Sequence, residues 1–76
     1  MKERNELKKL VFIIVSNKQE PPTAKEIYNQ IRKDKPSITH TEKVSGFKSF
    51  VKILNSFDII DPIEKKGQPF LYKVKE

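Results

Sequence analysis

Residues 44–74, VSGFKSFVKILNSFDIIDPIEKKGQPFLYKV, decide the fold because the spacing of their apolar residues changes partway along. In the last part, Phe70, Tyr72 and Val74 alternate, which predicts that they share one face of a strand. In the first part the apolar residues recur every three or four positions, which is typical of the buried face of a helix. We expect the core face of that helix to be Val44, Phe47, Val51 and Leu54.

The predicted helix has two unlike faces. Thr39-His40-Thr41-Glu42 matches the capping-box pattern, so we expect the helix to begin there, with Phe50 and Phe57 at the margin of its core face. Gly46 would weaken such a helix by about 1 kcal/mol relative to alanine, and close approach to another backbone would explain its presence. The face opposite the core carries hydroxyls and lysines: Thr41, Ser45, Lys48, Ser49, Lys52 and Ser56.

Two short strands are predicted after this helix, at residues 59–64 and 70–75. The residues between them, KKGQP, are typical of a hairpin loop. Pro62 and Pro69 lack a backbone donor, which favours sheet edges for both strands. Because an isolated hairpin is marginally stable, we expect this one to pack on the helices.

The first predicted helix covers residues 3–17 and is apolar around most of its circumference. Leu7, Leu10, Val11 and Ile14 have the spacing of one buried face. Phe12, Ile13 and Val15 point elsewhere on the same helix. Two interpretations stay open for these three residues: burial beneath the strands and third helix, or a surface for a second copy of the chain.

The second predicted helix begins at a clear capping box, Thr23-Ala24-Lys25-Glu26. Its core face is Ala24, Ile27, Tyr28 and Ile31, and it ends at a turn over residues 34–36. After the turn, Ile38 is a candidate for a short third strand that bridges to the sheet edge. Thr23 and Lys25 are also candidates for phosphate contact, although a structural cap is the simpler role for Thr23.

Length and composition limit the classes of protein. We expect one domain over residues 1–76, without disulfides because there is no cysteine. The longest apolar run, residues 10–15, is too short to span a bilayer, which predicts a soluble, cytoplasmic protein with no membrane partner. The net charge of +6 favours a polyanionic partner, although the excess is spread along the chain.

Enzymatic residue patterns are missing from the sequence. It has no cysteine, a single histidine (His40), no glycine-rich phosphate loop and no acid pair in an apolar setting. We therefore expect no catalytic activity, no cofactor, no metal and no small-molecule substrate.

Three helices followed by a hairpin with a basic tip resemble the winged helix-turn-helix family. Phe47, Val51 and Leu54, followed by Phe57-Asp58-Ile59-Ile60, are similar to the family's closing pattern, with Asp58 where a glycine is usual. Lys66-Gly67-Gln68-Pro69-Phe70-Leu71-Tyr72 is similar to its wing motif, with Gln68 in the usual basic position. The likeness covers the whole chain and is greatest to small stand-alone regulators of archaea and of archaeal viruses and plasmids. It implies an α+β winged-helix fold.

The resemblance also implies a function and a site. The chain would bind double-stranded DNA as a small transcription regulator, with two copies per DNA site and its own promoter as a candidate target. The third helix would enter the major groove through Thr41, Ser45, Lys48, Ser49 and Lys52. The wing would contact adjacent backbone or minor groove through Lys65, Lys66 and Gln68. Both arginines, Arg4 and Arg32, lie outside these two segments, so specificity must depend on other contacts or on DNA shape.

Other interpretations remain open at this point. The lysines of the third helix and the loop are also compatible with solvated surfaces. A winged helix can instead serve as a protein-interaction module of a transcription or replication assembly. That role would use an apolar face near Phe50, Ile53 or Leu71. RNA would satisfy the same electrostatics as DNA.

Overall fold

The computed structural model describes residues 5–38, 44 and 46–75. Within these residues, three helices precede a two-stranded antiparallel hairpin, so the α+β prediction is confirmed at this level. The elements are α1 (Asn5–Asn17), α2 (Ala24–Asp34), α3 (Phe47–Ser56), β1 (Ile60–Ile63) and β2 (Leu71–Val74). Across the described residues, every helix is too short or too polar to cross a membrane.

Helix α1 buries three of the four residues of the predicted stripe, with Leu10 partly buried, and one residue more. Leu7, Val11 and Ile14 lie in the core, and so does Val15. Phe12 and Ile13 remain 42% and 52% exposed. Of the two interpretations for the additional apolar residues, burial therefore holds for Val15 alone.

Helix α2 begins as its sequence predicts. The Glu26 backbone amide donates to the Thr23 hydroxyl (3.2 Å), and the Thr23 amide donates to the Glu26 carboxylate (2.9 Å). This capping box satisfies two amides that the first turn would otherwise leave unpaired. Ile27 and Ile31 anchor the helix in the core.

Helix α3 begins later than predicted. Gly46 is its N-cap, with φ 111° and ψ 179°, so no continuous helix runs from residue 39 through this position. That backbone region is essentially restricted to glycine. Close approach to another part of the described chain does not explain Gly46, because a Cβ there would have no atom within 4 Å, and close approach to a DNA backbone stays a prediction. The predicted capping box at residues 39–42 lies outside the described residues.

The buried face of α3 also differs from the prediction. Phe50, Ile53 and Leu54 are buried, whereas Phe47 is 40% exposed and Val51 is partly buried. The prediction extrapolated one helical phase from Val44, and that phase is interrupted at Gly46. Val44 is buried, but it packs from outside the helix.

The hairpin pairs Ile60 with Val74 and Ile63 with Leu71. Tyr72 is buried in the core, but Phe70 precedes β2 and is 42% exposed. The prediction that Phe70 shares one strand face with Tyr72 and Val74 is therefore wrong for Phe70, because β2 starts only at Leu71.

The extra bridge to the hairpin occurs at Thr23 rather than at Ile38. Thr23 pairs with Leu71, and the Tyr72 amide donates to the Pro22 carbonyl at 2.9 Å. Thr23 is extended because it precedes α2, which leaves its backbone able to pair with β2. Ile38 is instead buried, and its amide donates to the Lys35 carbonyl at 3.0 Å.

Candidate functional site

Three elements meet around an open groove of about 470 Å³. The start of α2 contributes Ala24 and Lys25, α3 contributes Phe47 and Val51, and the hairpin contributes Phe70. The Thr23–Leu71 bridge holds the start of α2 against β2, so the backbone itself brings two of these walls together. We name this feature the α3–hairpin groove.

The exposed face of α3 is positively charged. Lys48 and Lys52 are exposed, one residue after the groove-lining Phe47 and Val51. Residues 43–57 contain three lysines and no acidic residue. Because successive helical residues are rotated by about 100°, the face presents an apolar edge towards the groove and a basic edge beside it.

The other residues predicted on this helix face have different outcomes. Ser49 is partly buried and lies on nearly the opposite side of α3 from Val51. Thr41 and Ser45 lie outside the described residues. In the part of the chain that the structure describes, Lys48 and Lys52 are therefore the exposed residues among those predicted to contact DNA from this helix.

The hairpin turn exposes the three residues predicted at its tip, Lys65, Lys66 and Gln68. The Gln68 amide donates to the Lys65 carbonyl at 3.1 Å, and Gly67 has φ 74°. Glycine suits this position because a type II turn needs a positive φ at its third residue. The turn therefore directs two lysines and one amide side chain into solvent.

Among the described residues, the lysines of α3 and of the hairpin turn are not used in ion pairs. The ion pairs among the described residues join Lys8 to Asp58 at 3.3 Å and Lys35 to Glu6 at 2.8 Å. Both pairs involve α1, and neither includes a lysine of α3 or of the hairpin turn. The basic charge around the groove is thus not neutralised by a carboxylate of the described residues.

Polar and aromatic contacts fix α3 in place. The Tyr72 hydroxyl donates to the Asn55 side-chain oxygen at 2.8 Å, joining the end of α3 to β2. Burial raises the pKa of Tyr72, so its hydroxyl stays protonated and remains a donor. At the other end, the rings of Tyr28 and Phe47 meet edge to face, with centroids 5.5 Å apart. A flexible arrangement of the groove walls is therefore not expected.

Sequence reasoning missed the apolar part of this site. It assigned Phe47 to the core face of the helix and Phe70 to a strand, although both are about two-fifths exposed and line the groove. It also gave Asn55 no role, although Asn55 lines the groove and accepts the hydrogen bond of the Tyr72 hydroxyl. The one available signal was the second apolar series in α3, residues 50, 53, 54 and 57, which leaves Phe47 outside the core face.

A second exposed apolar patch lies on α1. Phe12 and Ile13 border a shallow cavity of about 340 Å³ together with Ile59, and Lys8 and Lys9 flank it. Phe50 and Ile53, the face predicted for a protein-interaction role, are buried in the core, so that prediction is wrong for both. Leu71, the third residue named for that face, is partly buried.

Metal-binding side chains do not cluster in the described part of the chain, where no three His, Cys, Asp or Glu residues are arranged to hold an ion. The chain was also compared with family models, with curated proteins and with solved structures, and none of the three comparisons gave a match.

Proposed function

We propose that this chain is a winged helix-turn-helix protein that binds double-stranded DNA as a small transcription regulator. The observation that carries the proposal is the acid-free helix α3, which exposes Lys48 and Lys52 beside a hairpin turn with two further exposed lysines. The helix order, the hairpin and the Thr23–Leu71 bridge are compatible with the winged-helix arrangement.

The proposed mode of binding follows from the positions of these charges. Helix α3 enters the major groove, where its amino-terminal residues reach the base edges. Lys48 and Lys52 neutralise phosphates and release counterions, while Lys65 and Lys66 contact the adjacent backbone or minor groove. Lys25, at the start of α2 and exposed, lies at the rim of the same groove.

Two copies per DNA site are part of the proposal. A module of this size covers few base pairs, so useful affinity needs a second half-site contact. Phe12 and Ile13, exposed side by side on α1, offer a surface on which two bound copies can meet. A titration at high protein concentration should therefore saturate at two chains per duplex.

The test is a fluorescence-anisotropy titration of duplex DNA from the region upstream of the chain's own gene, against a scrambled duplex, over a range of salt concentrations. We expect salt-dependent binding with a preference for the upstream duplex. The double variant Lys48→Ala/Lys52→Ala should flatten the plot of log affinity against log salt by about 2, since each lost phosphate contact removes about 0.9.

The matched control is Lys9→Ala/Lys18→Ala, which removes the same charge from exposed positions on and just after α1. It should retain most of the salt slope, because only α3 and the hairpin contact the phosphates in this proposal. Equal losses in the two double variants would indicate diffuse attraction without a site. Absence of binding near physiological salt would contradict the proposal.

A second candidate is a protein-interaction module, and the α3–hairpin groove favours it. Phe47 and Phe70 expose apolar surface in one concave feature, where a partner's side chain would be buried. This function predicts that the Lys48→Ala/Lys52→Ala variant still binds its partner protein in the cell, whereas Phe70→Ala does not. The DNA-binding function predicts instead that the lysine variant loses duplex binding.

A further inference from the structure

Phe47 is the large apolar residue at the first position of α3, and it is 40% exposed. Packing does not require it there, because Phe50, Ile53 and Leu54 already fill the core side of the helix. Its ring is nevertheless held in place by the edge-to-face contact with Tyr28, 5.5 Å between centroids. A rigid, exposed aromatic ring thus lies at the amino-terminal end of the helix that we propose to enter the major groove.

The hydrogen-bonding groups that usually read bases are scarce at this end of α3. The helix has no arginine or glutamine, and its one asparagine, Asn55, lies near the carboxyl end and accepts from Tyr72. Bidentate arginine–guanine contacts are therefore excluded for α3 itself. Lysine at Lys48 and Lys52 suits phosphate as a point charge, which carries no sequence information by itself.

The apolar groups on this face do have a matching feature in DNA. The C5 methyl of thymine is the apolar group in the donor and acceptor pattern of the major groove, and phenylalanine is among the side chains that contact it. Phe47 and Val51 lie one turn apart along the same edge of α3, and Phe70 faces them across the groove. Lys48 and Lys52 would bind the DNA backbone along the basic edge of α3, while these apolar side chains contact the bases.

We infer that Phe47, supported by Val51 and Phe70, recognises thymine methyl groups and gives the chain a preference for thymine-containing sites. The inference rests on the proposed DNA-binding function and names the chemistry of its specificity. Lys25 lines the groove, and Lys48 and Lys52 are exposed on the adjacent edge of α3. None of the three forms an ion pair with a carboxylate of the described residues, so the charge favours DNA over an apolar partner.

The test replaces thymine by uracil in an otherwise identical duplex, which removes the methyl group and keeps the hydrogen-bonding pattern. We expect the unsubstituted chain to bind the uracil duplex about fourfold more weakly per contacted methyl, the factor that corresponds to one buried methylene-sized group. Phe47→Ala should bind both duplexes equally. Phe47→Leu, which keeps apolar contact and helix stability, should retain part of the difference.

Phe12→Ala is the matched control, because Phe12 is equally exposed but lies on α1. Because Phe12 also lies on the surface proposed between two bound copies, Phe12→Ala should weaken binding to both duplexes by the same factor and keep the full affinity ratio between thymine and uracil. Thermal melting by circular dichroism will show that each variant is folded at the assay temperature.

The outcomes separate the inference from the function on which it rests. Salt-dependent duplex binding without thymine discrimination, or discrimination that persists in Phe47→Ala, would overturn the inference and leave DNA binding intact. No binding to any duplex would overturn both. Tighter binding to the thymine-containing single strand than to its duplex would also overturn the inference, because the aromatic rings would then act by stacking on unpaired bases.

Discussion

Helices α2 and α3 both bury an apolar face, but their ends are built in opposite ways. Helix α2 has a capping box and Glu26 in its first turn, and Arg32 and Lys33 in its last. Helix α3 starts at Gly46 without a side-chain cap, has no acidic residue in its first turn and no basic residue in its last. Lys48 occupies its first turn, and Asp58 follows its carboxyl end.

The helix dipole explains why these differences between α2 and α3 affect the stability of each helix. Negative charge is favourable at the amino end of a helix and positive charge at the carboxyl end, so α2 follows the rule and α3 opposes it. Helix α3 must therefore depend on packing and on its contacts with Tyr28 and Tyr72. A lysine beside uncapped amides lowers helix stability, but it suits a phosphate, which agrees with the proposed function.

The largest expected effect comes from Gly46→Ala. Its φ of 111° and ψ of 179° are strained for any residue with a Cβ, so we expect a loss of about 1–3 kcal/mol in the free energy of unfolding. The space around the position is open, so the cost is in the backbone and not in a steric clash. For a chain of this size, thermal melting should shift down by about 4–8 °C for each kcal/mol.

Gly67→Asn is the control for this substitution. Gly67 has φ 74°, a left-handed value that asparagine tolerates better than most residues. Its melting temperature should fall less than that of Gly46→Ala. An unchanged melting temperature in Gly46→Ala would mean that α3 does not need its abrupt start, and the contrast with α2 would lose its basis.

A smaller effect is expected at the start of α2. Thr23→Ala removes the hydroxyl that accepts from the Glu26 amide, at a cost of about 1 kcal/mol in the free energy of unfolding. Thr23→Ser keeps the acceptor and should stay near the original stability, as judged by the midpoint of urea unfolding. Since the Thr23–Leu71 bridge is made by backbone, both variants retain it, and an equal loss in both would indicate that the cap is not what the threonine contributes.

The start of α2 was predictable because its chemistry is local. A capping box is fixed by residues three positions apart, and the buried Ile27 and Ile31 follow from one helical period. The hairpin was predictable for the same reason, since its turn depends on Gly67 and the alternation on each side. The exposed positions of Lys48, Lys52, Lys65, Lys66 and Gln68 also agree with the sequence interpretation.

The start and orientation of α3 were not predictable in this way. Two apolar series fit a helix there, one through Phe47 and one through Phe50, and the sequence does not rank them. The choice depends on the packing of Phe50 against Tyr28 and on the break at Gly46, which are tertiary properties. The bridge was misplaced at Ile38 because strand pairing depends on which distant backbone lies beside β2. Because the series through Phe50 is the buried one, Phe47 is left exposed and lines the α3–hairpin groove.

The smallest expected effect concerns the ion pairs that follow the carboxyl ends of α2 and α3. Both pairs are made with α1, and they have opposite polarity. Lys35 after α2 pairs with Glu6, and Asp58 after α3 pairs with Lys8. The hydrogen bond and charge of Lys8 lower the pKa of Asp58 below its ordinary value of 3.8, so the folded state favours the carboxylate. The resulting stabilisation is present above the unfolded pKa and is lost as the pH falls through the lower, folded pKa.

Asp58→Asn tests this pair. The melting temperature of the variant should lie slightly below that of the original chain above about pH 5, and the difference should shrink as the pH falls through the lowered, folded pKa of Asp58. High salt should reduce the difference, because the pair is exposed and screened. Adding Lys8→Gln to both proteins should remove most of it, because the hydrogen bond and charge of Lys8 are the largest causes of the lowered pKa. A remaining difference of the same sign would come from the backbone hydrogen bond at Asp58 and the charge of Lys75. A remaining difference of the opposite sign would come from the α3 dipole, since removing an acid from the carboxyl end of α3 stabilises the helix.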